Sequence, residues 1–126
     1  IKMKKVIATA DAPKAVGPYS QAIEVNGTLY VSGQIPVNPA DGSVPEDIVE
    51  QAHQSLKNIG AILKEAGMTY SNVVKTTVLL DDIANFKAVN EVYAEYFTED
   101  KPARACYQVA ALPLGVKLEI EAIAVR

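Results

Sequence analysis

The dipeptide Asn26-Gly27 constrains the fold of this chain more tightly than any other feature. Both central residues of a type I′ turn need positive φ, which Asn and Gly tolerate best, and the runs on either side, SQAIEV (20–25) and TLYVSG (28–33), have strand character. A tight hairpin is expected there, and later elements must build on it. The next stretch, IPVNPADGSVP, reads as a loop because Pro, Gly and Asp dominate it. Beyond it, Ser43 and Glu46 have capping-box spacing, and Ile48, Ala52, Leu56, Ile59, Leu63 and Ala66 recur every three or four positions. That spacing predicts an amphipathic helix stopped by Gly67. The β-branched run VVKTTVLL (73–80) predicts a strand. A second helix is expected from about Asn85 to Thr98, with Phe86, Val89, Tyr93 and Phe97 on its apolar stripe and either Asp82 or Asn85 as its cap. Strands over 103–109 (ARACYQV) and 116–125 (VKLEIEAIAV) complete the order.

No repeat, linker or low-complexity tract divides the 126 residues, so one domain over 1–126 is expected, long enough to bury a core without disulfides or metal. Two helices can cover one face of a mixed sheet, which is an α+β arrangement. Apolar residues occupy both phases of several strands, as in Leu29 and Val31 against Tyr30, or Ala122 against Ile123. The second sheet face therefore calls for cover too, most simply by further copies of the chain.

Scarce residues narrow the chemistry. One His (His53), one Cys (Cys106) and no Trp leave too few ligands for a zinc site, and no clustered acidic motif offers magnesium a home. GxGxxG and GxxxxGK[ST] are both absent, so no cofactor is expected. His53 falls in the polar phase of EQAHQSLKN, where a solvated helix-surface histidine is the expectation. Net charge is −3 and, apart from Lys2, Lys4 and Lys5, the ten Lys are scattered, which disfavours nucleic acid as a partner. There is no apolar run long enough to span a membrane, no signal-like core in IKMKKVIATADAP, and no second Cys for an intrachain disulfide; the cytosol is the expected compartment.

Against that background several polar residues stand out. Arg104 and Cys106 lie two apart in a strand and so share a face. An Arg among small and apolar neighbours wants a planar anion. That anion is either a ligand carboxylate or an internal partner such as Glu119 or Glu121. The two glutamates alternate with Leu118, Ile120 and Ala122, and they either line a solvated face or place a carboxylate where it can activate water. Asn90, on an apolar helix stripe, is a core amide or a pocket donor. Cys106 is a packing residue with a backbone donor, or a nucleophile that would depend on Arg104. Gly17-Pro18-Tyr19-Ser20 and Ser32-Gly33-Gln34-Ile35-Pro36 form turn-rich strand edges where a small ligand can approach the backbone.

Taken together, GPYSQAI (17–23), VSGQIPV (31–37), AVNEVY (88–93), PARACYQVAALP (102–113) and LEIEAIAV (118–125) resemble the reactive-intermediate deaminase family, also called the Rid or YjgF-type family. The likeness spans the chain, and its most specific part is P-A-R-x-C followed, after a Leu-Pro loop, by Leu-Glu-Ile. The connection TEDK (98–101) looks shorter than in many relatives. The resemblance implies a chorismate-mutase-like α+β fold assembled as a homotrimer with clefts between subunits. It implies hydrolysis of 2-imino acids, such as 2-iminopropanoate and 2-iminobutanoate, to 2-oxo acids and ammonia. It also implies that Arg104 holds the substrate carboxylate, that Glu119 orients water, and that Tyr19, Ser32, Gly33, Asn90 and Cys106 line the pocket. Two other functions fit the same residues: a trimer that binds small carboxylates without turning them over, and, with less support, the RNA cleavage or translation inhibition linked to some of the wider family.

Overall fold

In a computed structural model that describes residues 3–126, the strands are β1 (Lys4–Ile7), β2 (Ala22–Val25), β3 (Thr28–Gln34), β4 (Val73–Leu80), β5 (Ala103–Gln108) and β6 (Leu118–Val125). The helices are α1 (Ile48–Glu65) and α2 (Phe86–Tyr96). Lys2, counted above with the N-terminal lysines, lies outside the described residues. The strands form one sheet in the order β1-β2-β3-β6-β4-β5. Every pairing is antiparallel except β4 with β5, which are joined through α2 and run parallel. The hairpin forms as expected, with Asn26 at φ 50° and Gly27 at φ 80°. The result is a mixed α+β sheet with both helices on one face.

The core lies between that face and the helices. Leu29, Val31, Val78, Leu80, Leu118, Ile120, Ala122 and Ala124 project inward and meet Ala52, Leu56, Ile59, Ile62 and Leu63 of α1, all nearly or fully buried. Each large aliphatic side chain removed from water in this way contributes about 1.5–3 kcal/mol. The outer face is different. Register aligns Val6, Ile23, Tyr30 and Ile123 in one row, and Val6 and Tyr30 remain 49 % exposed. Among the described residues, no helix is long and apolar enough to cross a membrane.

Two local expectations need correction, and one left open is decided. Asp47, not Ser43, caps α1, accepting from the N–H groups of Val49 and Glu50, while Ser43 turns back to bond Asp41. Asp47 stands immediately before Ile48, where its carboxylate reaches the first free N–H groups, whereas Ser43 lies five residues before the helix begins. At the other end Gly67 does stop α1: with φ 75° it donates to Lys64, and Met68 donates to Leu63. At α2 the choice between two cap candidates is decided, and the start is set in two stages. Asp82 caps a short 3₁₀ turn over Ile83–Asn85, and Asn85 makes no side-chain cap. The second correction is His53, which is not a freely solvated residue. Its Nδ1 lies 2.7 Å from the Tyr96 hydroxyl, in the seam between the two helices.

Candidate functional site

The residues singled out from the sequence fall into two groups, on opposite faces of the sheet. In the parallel pairing, Arg104 lies beside Thr76 and Cys106 beside Val78. Thr76 and Val78 are buried against the helices, so Arg104 and Cys106 face the helix side. In the antiparallel pairing, Glu119 lies beside Leu79 and Glu121 beside Thr77, which is the other phase. Within a single chain, then, the carboxylate and the Arg–thiol pair expected near one another are separated by the thickness of the sheet.

Arg104 has no carboxylate within ion-pair distance among the described residues, and the internal salt bridge to Glu119 or Glu121 does not form. Its Nη1 instead donates to Asn90 Oδ1 at 2.7 Å. The guanidinium carbon sits 4.9 Å from the Tyr93 ring centroid and 5.4 Å from that of Phe86. Tyr93 is nearly buried, and its hydroxyl is tied to Thr76 Oγ1 at 2.7 Å, so the ring under the cation is itself held. Asn90 is not a core amide satisfied by backbone: its carbonyl oxygen accepts from Arg104, which leaves its Nδ2 donors to face the same place. Arg104 itself stays exposed, and the bond to Asn90 engages only Nη1 of its donor fork. A cation backed by two rings and one neutral acceptor keeps its full charge for an incoming anion. Cys106, half-buried two residues on, packs against the core. Burial pushes its thiol up from the ordinary value, and the nearby Arg104 only partly opposes this. A thiol raised in this way is a poor nucleophile at neutral pH.

The second group surrounds a distortion in β3. Val31 pairs with Ala122 and Gln34 with Ile120, so Ser32 and Gly33 together oppose the single residue Glu121. This is a β-bulge. Ser32 is pinned by its hydroxyl to Ser20 O at 2.6 Å and by its N–H to Gln21 O at 2.9 Å. Glycine at 33 lets the Glu119 side chain lie against the backbone: an added Cβ would fall 2.8 Å from Glu119 Cδ and nearer still to a carboxylate oxygen, so the carboxylate would have to move. Glu119 therefore lies flat on the bulge, along a cleft of about 560 Å³ whose walls include Val16, Tyr19, Ser32, Gly33 and Leu114. Burial, and secondarily the charge of Glu121, raise the Glu119 carboxyl above the usual carboxylate range. A carboxylate with a raised pKa beside open space is suited to accept and return a proton.

Some contributors escaped the sequence reading. Leu114, in the left-handed region at φ 58° and largely exposed, forms part of the cleft lip with Val16. The cue was there in the adjacent Pro113 and Gly115. Phe86 and Tyr93 were read only as stripe residues, because sequence spacing gives no sign that a strand would lay a cation across them. His53 joins neither group.

The chain is thus a single-domain α+β protein whose bulged, mixed six-stranded sheet bears an exposed, aromatic-backed arginine on one face and a cleft carboxylate on the other. This chain belongs to the family described as endoribonuclease L-PSP, the YjgF-type group, which it matches over residues 9–126. It is 58 % identical over 125 residues to the mouse protein named 2-iminobutanoate/2-iminopropanoate deaminase, covering 98 % of this chain and 93 % of that one. Its identity to the human protein of the same name is 56 %, covering 98 % of this chain and 91 % of that one. Among solved structures, a Thermotoga maritima protein titled a putative endoribonuclease superposes with TM-score 0.96 at 46 % identity, covering 98 % of each chain. Escherichia coli TdcF, titled with bound serine, superposes with TM-score 0.93 at 47 % identity, covering 97 % of this chain and 98 % of that one.

Proposed function

We propose that this protein hydrolyses small 2-imino acids, such as 2-iminopropanoate and 2-iminobutanoate, to 2-oxo acids and ammonia, as a homotrimer whose sites lie between neighbouring copies. The reading rests on the family, on the names of its close relatives, and on one geometric observation: the unpaired Arg104 and the cleft carboxylate Glu119 occupy opposite faces of the same sheet. Both can meet one small ligand if the helix-side edge of one copy abuts the bulged cleft of the next. The half-exposed apolar row on the outer face supplies the reason for copies to associate.

In such a site Arg104 holds the substrate carboxylate through two parallel N–H···O bonds, each charge-assisted and worth about 1.5–3 kcal/mol. The C2=N carbon is then presented to a water beside Glu119. Glu119 takes a proton from that water as the water oxygen bonds to C2 of the protonated imine, whose nitrogen becomes a neutral amine. The same carboxyl then gives that proton to the nitrogen and takes the one on the new hydroxyl as the C–N bond breaks, so that ammonia leaves, the 2-oxo acid remains, and the carboxyl releases its proton to solvent. Positioned acid–base help of this kind is worth about 10²–10⁴-fold, enough for an imine that already hydrolyses unaided. Cys106 serves as a wall. A ribonuclease role finds no support in the geometry, because the single histidine, His53, is engaged with Tyr96 between the helices.

Complementation tests this directly. Arg104→Met and Glu119→Gln should each be inactive alone, yet ammonia release from freshly generated 2-iminopropanoate should return after the two are unfolded and refolded together. About a quarter of the interfaces in randomly mixed trimers would then pair two intact half-sites. No recovery in verified mixed trimers would refute the shared site, and no ammonia release by the unaltered protein would leave only a carboxylate-binding trimer.

A further inference from the structure

Two amides on the helix-side surface of α1 are almost completely buried, Gln51 at 3 % and Asn58 at 1 % exposure, though neither belongs to the site. Asn58 Nδ2 donates to the carbonyls of Ile35 and Val37, at 3.2 and 3.0 Å, on the segment leaving the Ser32-Gly33 bulge. Its own oxygen is held by Gln54 Nε2 at 2.9 Å. Gln51 bridges two other strands of chain. Its Nε2 donates to Pro45 O at 2.7 Å, and its Oε1 accepts from the Lys117 N–H at 2.8 Å. Lys117 immediately precedes β6 and lies two residues before Glu119; its Nζ also reaches Glu46 O at 2.7 Å. One rigid helix thus measures off both the exit of the bulge and the entry of the Glu119 strand. That separation matters for the carboxylate, since the Glu119 side chain as placed lies against Gly33, where an added Cβ would displace it.

We infer that Gln51 and Asn58 are positioning residues for the reaction, holding β3 and β6 at the separation that lays the Glu119 carboxylate along the Gly33 bulge. The inference rests on the deaminase reading only for its kinetic consequence. Buried amides bonded at every polar atom transmit position well, because any shift leaves a backbone group unpaired. The carboxylate anchor, Arg104, is on the opposite sheet face and outside this network. Loss of the clamp should therefore act on the chemical step and spare substrate capture.

The test uses Gln51→Met, which keeps volume and removes both bonds, and Gln51→Glu, which keeps an acceptor for the Lys117 N–H. The first readout needs no substrate: titration of the Glu119 side-chain carboxyl by carbon-13 NMR. The titratable groups facing it across the cleft are Tyr19 and, on its own strand, Glu121. In Gln51→Met the midpoint should fall toward the ordinary carboxylate value as the strand loosens and water enters. Gln51→Glu should restore most of the difference. In parallel, kcat of Gln51→Met should drop about tenfold or more with KM little changed, since a misplacement near 1 Å can cost about 10²-fold. If Gln51→Met fails to fold, Asn58→Ser, which withdraws the donors at the other end of the clamp, carries the same expectation. An unmoved Glu119 midpoint with only a lower Tm would overturn the inference. Absence of turnover in the unaltered protein would instead overturn the deaminase reading, leaving the titration to decide on the clamp.

Discussion

Replacing Arg104 with lysine separates charge from geometry. Lysine keeps the positive charge but loses the planar fork, so one of the two parallel bonds to a carboxylate, worth about 1.5–3 kcal/mol, is lost. It also loses the guanidinium's bond to Asn90 and much of its stacking on Tyr93 and Phe86, although these hold the side chain in place more than they bind ligand. A net loss of about 2–3 kcal/mol corresponds to about 30- to 150-fold in kcat/KM. Stability should hardly move: Arg104 is exposed and has no ion-pair partner among the described residues, and surface substitutions of this sort usually fall within about 0.5 kcal/mol. The assay is ammonia release from 2-iminopropanoate generated in place from alanine by an amino-acid oxidase, with buffer hydrolysis subtracted, alongside thermal unfolding. An Arg104→Lys variant with unchanged kcat/KM would refute the bidentate anchor. A large fall in Tm would show that the residue is a structural one.

Glu119 is raised first by burial and then by the charge of Glu121, so Glu121→Gln removes one cause and should shift the acid limb of the kcat/KM–pH profile to lower pH; an upward shift or none refutes the coupling. Because the folded state binds this proton more tightly than the unfolded chain does, Glu119 favours folding below the usual carboxylate value, and that contribution is lost as pH rises through the raised folded value. Glu119→Gln should therefore flatten the stability–pH curve across that window, as chemical denaturation at several pH values would show. Gly33→Ala forces a methyl group onto the Glu119 carboxylate and should lower kcat by about tenfold or more, with an overpacking cost of about 1–3 kcal/mol; steady-state kinetics that match the unaltered protein would contradict the close approach. Cys106→Ala should keep at least about a third of turnover, because a thiol raised by burial is not the nucleophile, and complete inactivation would point to covalent catalysis.

Most of the secondary structure was legible because its signals are local. Asn26-Gly27 permits little besides a type I′ turn, VVKTTVLL forms the strand Val73–Leu80, and the three-four stripe of α1 packs as its spacing requires. The misreadings came where two local signals competed. Ser43 and Asp47 both precede α1, and the wrong one was taken; Asp82 and Asn85 both precede α2, and the choice stayed open, because which one caps depends on where the incoming loop delivers the chain. His53 was misjudged for another reason, since its polar helix phase gives no hint that Tyr96 of the second helix would close over it.

The candidate residues were nameable one at a time, from their chemistry and from the family resemblance, but their mutual placement was not. Strand alternation alone puts Arg104 and Cys106 on one face, and Glu119 and Glu121 on one face. Whether these are the same face depends on how β4, β5 and β6 pair, and that is settled only when the parallel and antiparallel registers are in place. The sequence by itself determined which side chains carry charge, which turns must form and how each element distributes its apolar residues, because these follow from backbone sterics and periodicity within a few residues. Only the tertiary structure decided that the guanidinium rests on two rings, that the carboxylate lies against the glycine of a bulge, and that a sheet stands between them. Such relations join residues far apart in the chain, and the long-range packing that joins them leaves no local trace.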